Sequence, residues 1–90
     1  MGTRQPNRDK VAAQLGPNLK EARLARGLTQ AQVAEEIDVT FEFYHRCERS
    51  KTLPSVPTLA RLAETLEVSV DVLLGFKPRA KPPGDDKAPE

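Results

Sequence analysis

The sequence predicts an all-α domain of five short helices between two disordered arms. Three observations favour this fold: apolar residues recur at helical spacing, hydroxyl residues stand where helices would begin, and glycines stand where the first and last helices would end. The chain has 90 residues, 38% of them hydrophobic, which suits one small domain with a modest core.

The boundaries of this domain are predicted from composition. Residues 1–10 are polar and basic, and residues 76–90 are rich in Pro, Lys and Asp without an apolar period. Both segments are typical of disordered arms. The helical domain is therefore expected at residues 11–75.

The first helix is expected between Leu15 and Ala25 and ends at Gly27, which suits a left-handed backbone. Pro17 is expected in its first turn, where the missing N–H has no cost. Residues 9–14 form either a preceding turn or a kinked extension, and the sequence leaves both open. The apolar positions of this helix are Leu15, Leu19, Ala22 and Leu24.

The second and third helices are separated by a very short connection. Thr29 followed by Gln32 has the pattern of a reciprocal N-terminal cap, and Thr40 is placed to cap the third helix. Only Asp38 and Val39 lie between the two helices. Two short helices joined in this way match the outline of a helix-turn-helix motif.

Two further helices follow. Ser55 is expected to cap the fourth, with Pro57 in its first turn, and Ser69 to cap the fifth, which ends at Gly75. Asp71 would lie near the positive end of the dipole of the fifth helix. The apolar stripe of the fourth helix consists of Leu59, Leu62, Ala63 and Leu66.

The third helix presents a mixed outward face. At 100° per residue, five of its side chains share one arc of about 140°, namely Phe41, Glu42, His45, Arg46 and Arg49. Such an arc is either a solvated surface with one stray aromatic or a recognition surface. The remaining positions, Phe43, Tyr44, Cys47 and Glu48, are expected in or beside the core.

Net charge alone does not favour DNA binding. The chain carries +1 in total, divided as +2 over residues 1–14, −2 over residues 15–75 and +1 over residues 76–90. A DNA-binding domain normally has a basic footprint. This charge balance therefore argues against DNA binding, unless the few cations of residues 15–75 lie together on one face of the domain.

The spacing of several short motifs resembles a known family. Leu28-Thr29-Gln30, Val39-Thr40, Arg46-Cys47-Glu48-Arg49-Ser50-Lys51 and Leu53-Pro54-Ser55 are similar to the Cro and phage-repressor type of domain, the Xre family, and the likeness covers about residues 15–75. The resemblance implies a lambda-repressor-like helix-turn-helix domain of five helices. Its third helix would lie in the major groove of double-stranded DNA.

The resemblance also implies roles for individual residues. Gln30 would bind a phosphate and brace the third helix, Arg49 and Lys51 would lie beside the DNA backbone, and Arg23 and Glu48 would form a structural salt bridge. His45 is interpreted as solvated or phosphate-adjacent. The positions that would face base edges are Thr40, Phe41, Glu42 and Arg46.

Four positions depart from the family pattern. Asp38 and Ser50 replace glycines, so left-handed turns are expected there at some cost. Phe41 and Glu42 replace polar reading residues, yet both retain a chemical role. Glutamate can accept from the cytosine N4 amino group, phenylalanine can pack on a thymine methyl, and Arg46 can bind guanine O6 and N7.

Other chemistry is not indicated by the sequence. Cys47 is expected to pack in the core, and the single cysteine and single histidine provide no catalytic or metal-binding constellation. The chain is therefore not expected to be an enzyme or to need a cofactor. No apolar segment suggests secretion or membrane insertion, so a cytoplasmic protein, associated with the nucleoid when bound to DNA, is expected.

Two functional hypotheses remain. The first is a sequence-specific transcriptional regulator that binds DNA as a homodimer, with half-sites about 10 base pairs apart and a dimer contact along residues 70–74. The alternative is an antitoxin-like or adaptor module that presents Phe41 and Phe43 to a protein partner.

Overall fold

Five α-helices form the described part of the chain, as predicted. The computed structural model describes residues 6–78, and the outer parts of both predicted arms, residues 1–5 and 79–90, lie outside it. The helices are α1 (Pro6–Ala25), α2 (Gln30–Glu36), α3 (Phe41–Glu48), α4 (Val56–Leu66) and α5 (Val70–Leu73). None of these helices has the length and apolar content needed to span a membrane.

Helix α1 is longer than predicted. It begins at Pro6, so residues 6–10 of the predicted N-terminal arm are helical and residues 9–14 extend the helix, one of the two possibilities left open by the sequence. The expectation that Pro17 lies in the first turn of the helix is wrong. Pro17 lies inside α1, where it cannot donate to the carbonyl of Ala13. Leu15 and Leu19 are buried on either side of the proline. Their packing stabilises both segments of the helix, which local sequence rules do not take into account.

The predicted helix starts are present. Thr29, Thr40, Ser55 and Ser69 each accept a hydrogen bond from a backbone N–H of the first turn that follows. At α2 the cap is reciprocal, because the Thr29 N–H also donates to Gln32 Oε1 at 2.8 Å. These bonds satisfy donors that a helix start otherwise leaves unpaired.

All five described helices end in the same way. One residue adopts a left-handed conformation, and the N–H of the residue after it donates to a carbonyl five residues back. Asp38 and Ser50, both at φ 62°, are left-handed as predicted. Glu67, at φ 58°, is left-handed as well, and this was not predicted because glutamate carries no turn signature. The full set of left-handed residues is Gly27, Asp38, Ser50, Glu67 and Gly75.

The core lies where α1 packs against α3 and α5, and where α2 packs against α3 and α4. Leu24 is not part of it, contrary to the predicted apolar stripe, since 57% of this residue is exposed. Its neighbour Arg23 points inward instead, and adjacent helical residues differ in direction by about 100°. The buried apolar residues are Leu15, Leu19, Ala22, Val33, Ala34, Ile37, Tyr44, Cys47, Leu62, Leu66 and Leu73.

Gly16 marks a close approach between α1 and the end of α3. A Cβ atom at this position would lie 2.6 Å from the Glu48 carbonyl oxygen and would also meet the Ser50 hydroxyl. Replacing a helical glycine with alanine normally stabilises a protein by about 1 kcal/mol. Because the neighbouring atom is backbone, we expect Gly16→Ala to lower the free energy of unfolding by about 1–3 kcal/mol instead.

Urea denaturation of Gly16→Ala measures this effect. Ala13→Gly, at an exposed position of the same helix, should cost about 1 kcal/mol from helix propensity alone and serves as the control. A Gly16→Ala variant more stable than the parent would contradict the tight approach of the two helices.

Candidate nucleic-acid interface

Helix α3 lies at the surface with one side in the core. Thr40 starts the helix by accepting from the Phe43 N–H at 3.0 Å. Tyr44, Cys47 and Glu48 are buried and face α1 and α2. The opposite side is exposed at Phe41, Glu42, Arg46 and Arg49. The helix is therefore fixed along its inner side while its outer side is free to meet a ligand.

A buried carboxylate fixes α3 to the rest of the domain. Arg23 Nε donates to Glu48 Oε2 at 2.6 Å, and Arg23 Nη2 donates to Oε1 at 3.1 Å. The predicted ion pair is thus present. Two further donors meet the same carboxylate, since the Tyr44 hydroxyl donates to Oε2 at 2.5 Å and Gln30 Nε2 donates to Oε1 at 2.9 Å. These four residues are called the Glu48 cluster below.

The charge state of the Glu48 cluster follows from its contacts. Burial acts to raise the pKa of Glu48, but the hydrogen bonds from Arg23, Tyr44 and Gln30 outweigh it and hold the pKa below its ordinary value. Burial, followed by the bond to Glu48, raises the pKa of Tyr44 far above its usual range. At neutral pH the cluster therefore contains a carboxylate, a guanidinium and a neutral phenol.

Gln30 connects this cluster to the outer face of α3. Its Nε2 donates to the Glu48 carboxylate, which leaves its amide oxygen facing His45 Nδ1 at 3.3 Å. An amide oxygen only accepts, so His45 makes this bond when it carries a proton on Nδ1. The expected bracing of α3 by Gln30 is present, while its contact with a phosphate stays a prediction.

His45 and Phe41 form a stacked pair on the outer face. Their ring centroids lie 5.7 Å apart, and the ring planes differ by 15°. His45 is half-buried, more enclosed than the solvated residue expected from the sequence. The reason is that Phe41, one helical turn earlier, covers it on one side while Gln30 meets it on another.

The cations of α3 have no acidic partners within residues 6–78. The ion pairs of that segment are Arg23–Glu48, Arg26–Glu67 at 3.0 Å and Lys77–Asp71 at 3.8 Å. Arg46, Arg49 and Lys51 are exposed and take part in none of them. Within residues 6–78, Arg23 and Arg26 therefore have acidic partners, whereas the cations on and just after the outer side of α3 have none.

A shallow apolar groove borders this face. It has a volume of about 620 Å³ and is lined in part by Leu24, Leu28, Ala31 and Phe41. Phe41 is 51% exposed, whereas Phe43 is only partly exposed and packs against the core. The surface proposed for a protein partner therefore includes Phe41 and excludes most of Phe43.

Cys47 is 1% exposed and lies in the core, as predicted. Burial, and secondarily the nearby Glu48 charge, raise the pKa of its thiol to about 11. A thiol that stays protonated and enclosed is a packing residue, not a redox sensor.

Comparisons with known proteins agree with this architecture. Residues 19–73 match the helix-turn-helix family model. The chain is 39% identical over 57 residues to the cryptic phage CTXphi transcriptional repressor RstR of Vibrio cholerae. The aligned segment covers 63% of this chain and 51% of that protein. Across the curated relatives that it matches, the aligned part spans 48–66% of their length.

Solved structures show the same fold. The restriction-modification controller protein C.AhdI from Aeromonas hydrophila superposes with a TM-score of 0.64 at 28% identity, over 72% of this chain and 96% of that chain. A SinR protein/SinI protein complex contains a chain that matches with a TM-score of 0.63 at 31% identity, over 67% of this chain and 59% of that chain. The resemblance to phage-repressor-type domains is confirmed, and the chain belongs to the helix-turn-helix family.

Proposed function

We propose that the chain is a sequence-specific DNA-binding transcriptional regulator that places α3 in the major groove. The observation that carries the proposal is a set of exposed cations on and just after α3 that have no acidic partner within residues 6–78, namely Arg46, Arg49 and Lys51. Phosphate oxygens are the natural partners of such cations. We assign the protein no catalytic role, and we place it in the cytoplasm, on the nucleoid when bound to DNA.

Base reading is assigned to Thr40, which caps α3, to Phe41 and Glu42 in its first turn, and to Arg46 one helical turn after Glu42. Recognition helices of this kind contact base edges mainly with their first residues. Arg46 is exposed and free to bind guanine O6 and N7, and Glu42 is exposed and free to accept from cytosine N4. The Thr40 oxygen already accepts from the Phe43 N–H, so its own hydroxyl hydrogen is available to a base or phosphate acceptor.

Phosphate contacts are assigned to the residues around this reading surface. Arg49 and Lys51 are exposed cations, and Gln30 keeps a second Nε2 hydrogen after its bond to Glu48. His45 uses Nδ1 toward Gln30, so it can donate to a phosphate only when Nε2 is protonated as well. These contacts would set the position of α3 on the duplex, and the reading residues would set the sequence.

Selection from a pool of random duplex DNA at physiological salt, followed by sequencing of the retained DNA, tests the proposal. We expect an enriched motif with two-fold symmetry. Weak, salt-sensitive retention without any enriched motif would contradict sequence-specific binding.

A homodimer is part of the proposal, because one small domain reads only a few base pairs. The contact is assigned to the edge of α5. Leu73 is buried within the domain, so Val70, Val72 and Leu74, which are partly exposed, would form it. We expect sedimentation equilibrium at tens of micromolar to show a dimer, or a dimer to form on the selected DNA. A monomer under both conditions would contradict this assignment.

A protein partner is the second candidate function. Phe41 and Leu24 are exposed beside the apolar groove, and an exposed aromatic can anchor a partner protein. One structurally similar family member was solved as a SinR protein/SinI protein complex. If selection retains no DNA motif, α3 is more consistent with this role than with base reading.

A further inference from the structure

Phe41 is a large exposed apolar side chain at the first position of α3, between polar and charged neighbours. We propose that its ring, held by stacking on His45, selects a pyrimidine that carries a methyl group at C5. The proposal rests on the function proposed above and specifies which chemical group of the DNA this part of the helix recognises.

The ring of Phe41 is positioned before any DNA arrives. It stacks on His45, His45 meets the amide oxygen of Gln30, and Gln30 donates to the buried carboxylate of Glu48. Arg23 fixes that carboxylate with two hydrogen bonds. A continuous series of contacts therefore runs from the core to the Phe41 ring. A ring restrained in this way loses less conformational freedom on binding than a free one.

The chemistry of the major groove leaves one partner for such a ring. Base edges there offer hydrogen-bond donors, acceptors and the C5-methyl group. Phenylalanine makes no conventional hydrogen bond, so the donors and acceptors gain nothing from it and would lose water. The methyl group is the apolar feature that the ring can cover with a gain in free energy.

Two bases supply this methyl group, thymine and 5-methylcytosine. Glu42, the next residue along α3, is exposed and accepts hydrogen bonds only. If Glu42 reaches the base that Phe41 covers, the N4 amino group of 5-methylcytosine fits both side chains. If Glu42 reaches a neighbouring base, thymine fits Phe41 and an adjacent cytosine fits Glu42.

The test uses the duplex recovered by selection and leaves the protein unchanged. Each thymine of a half-site is replaced in turn by uracil, which lacks only the methyl group, and each cytosine by 5-methylcytosine. We expect removal of one particular methyl to weaken binding about 4-fold, as for one buried methylene-sized group. If 5-methylcytosine at one position instead raises the affinity about 4-fold, and uracil lowers it at no position, then the recognised base is 5-methylcytosine and not thymine.

Protein variants then identify the side chains responsible. Phe41→Ala should bind the methylated and unmethylated duplexes equally, so that the 4-fold ratio falls to about 1. His45→Ala should reduce the ratio, because it removes the stacking partner. His45→Phe, which retains an aromatic ring but loses the bond to Gln30, should give a ratio between those of His45→Ala and the parent. A purely structural role for His45 would change affinity for both duplexes alike and leave the ratio unchanged.

Two results would overturn the proposal while leaving the regulator function intact. One is a selected operator at which no methyl change alters the affinity of the parent protein. The other is a methyl effect that persists in Phe41→Ala. Failure to select any operator would instead overturn the proposed function and this inference together.

Discussion

Replacing Glu48 with alanine should lower the free energy of unfolding by about 3–5 kcal/mol, the cost typical of breaking a buried ion pair. The side chains of Arg23 and Glu48 are only 10% and 3% exposed. Without the carboxylate, the guanidinium stays buried without a counter-charge and the Tyr44 hydroxyl loses its acceptor. In a domain of this size each 1 kcal/mol shifts the melting temperature by roughly 4–8 °C, so thermal and urea denaturation both measure the effect.

Glu35→Ala provides the matched control for this prediction. Glu35 is exposed on α2, and its replacement should change stability by no more than about 0.5 kcal/mol. A Glu48→Ala variant as stable as this control would show that the Glu48 cluster does not hold α3 in place. In that case the series of contacts from Glu48 through Gln30 and His45 would not be able to position the Phe41 ring.

The pH dependence of stability gives a second measure of the same cluster. Because the folded pKa of Glu48 lies below the ordinary value of 4.5, its stabilisation is complete above that value and is lost as pH falls through the folded pKa. As pH falls below 4.5, the free energy of unfolding of the parent should therefore fall more steeply than that of Glu48→Gln, which does not titrate at residue 48. Equal slopes would contradict the lowered pKa.

Local chemistry made much of the fold predictable from the sequence. Capping by Thr29, Thr40, Ser55 and Ser69 depends on residues within one helical turn, so short motifs reveal it. The extension of α1 through Pro17 depends instead on burial of Leu15 by distant parts of the chain. Tertiary packing overrides the local preference there, and no window of sequence contains that information.

The candidate site likewise contains features that the sequence predicts and features that only the folded chain shows. The Arg23–Glu48 pair was predicted because the spacing of the family motif carries it. The resemblance implied that Gln30 braces α3, but its partner atom was not predicted, because Gln30 lies 18 residues from Glu48 and meets it only in the folded chain. The bond from Tyr44, four residues before Glu48, was not predicted either, since Tyr44 was interpreted only as a residue in or beside the core. The stacking of Phe41 on His45 joins residues one helical turn apart. That pair is visible in the sequence, since residues i and i+4 are neighbours on a helix surface.

Arg46→Ala is expected to abolish specific DNA binding without affecting the fold. A bidentate contact with guanine discriminates by about 1–3 kcal/mol, and a symmetric dimer loses it in both half-sites. Arg46 is exposed and forms no ion pair within residues 6–78, so stability should change by less than about 0.5 kcal/mol. Binding titrations with the selected operator and with a scrambled duplex measure the loss, which should be confined to the operator.

Arg49→Ala is the control that distinguishes a contact with a base from a contact with a phosphate. Arg49 is an exposed arginine at the end of the same helix, but its proposed partner is a phosphate. Its loss should weaken binding to operator and scrambled DNA alike and reduce the salt dependence of binding by about one unit per phosphate contact. If Arg46→Ala weakened binding to both duplexes in this way, Arg46 would contact the DNA backbone, and base recognition would depend on Phe41 and Glu42.

If neither variant altered DNA binding while Phe41→Ala disrupted a protein complex, the outer face of α3 would bind protein.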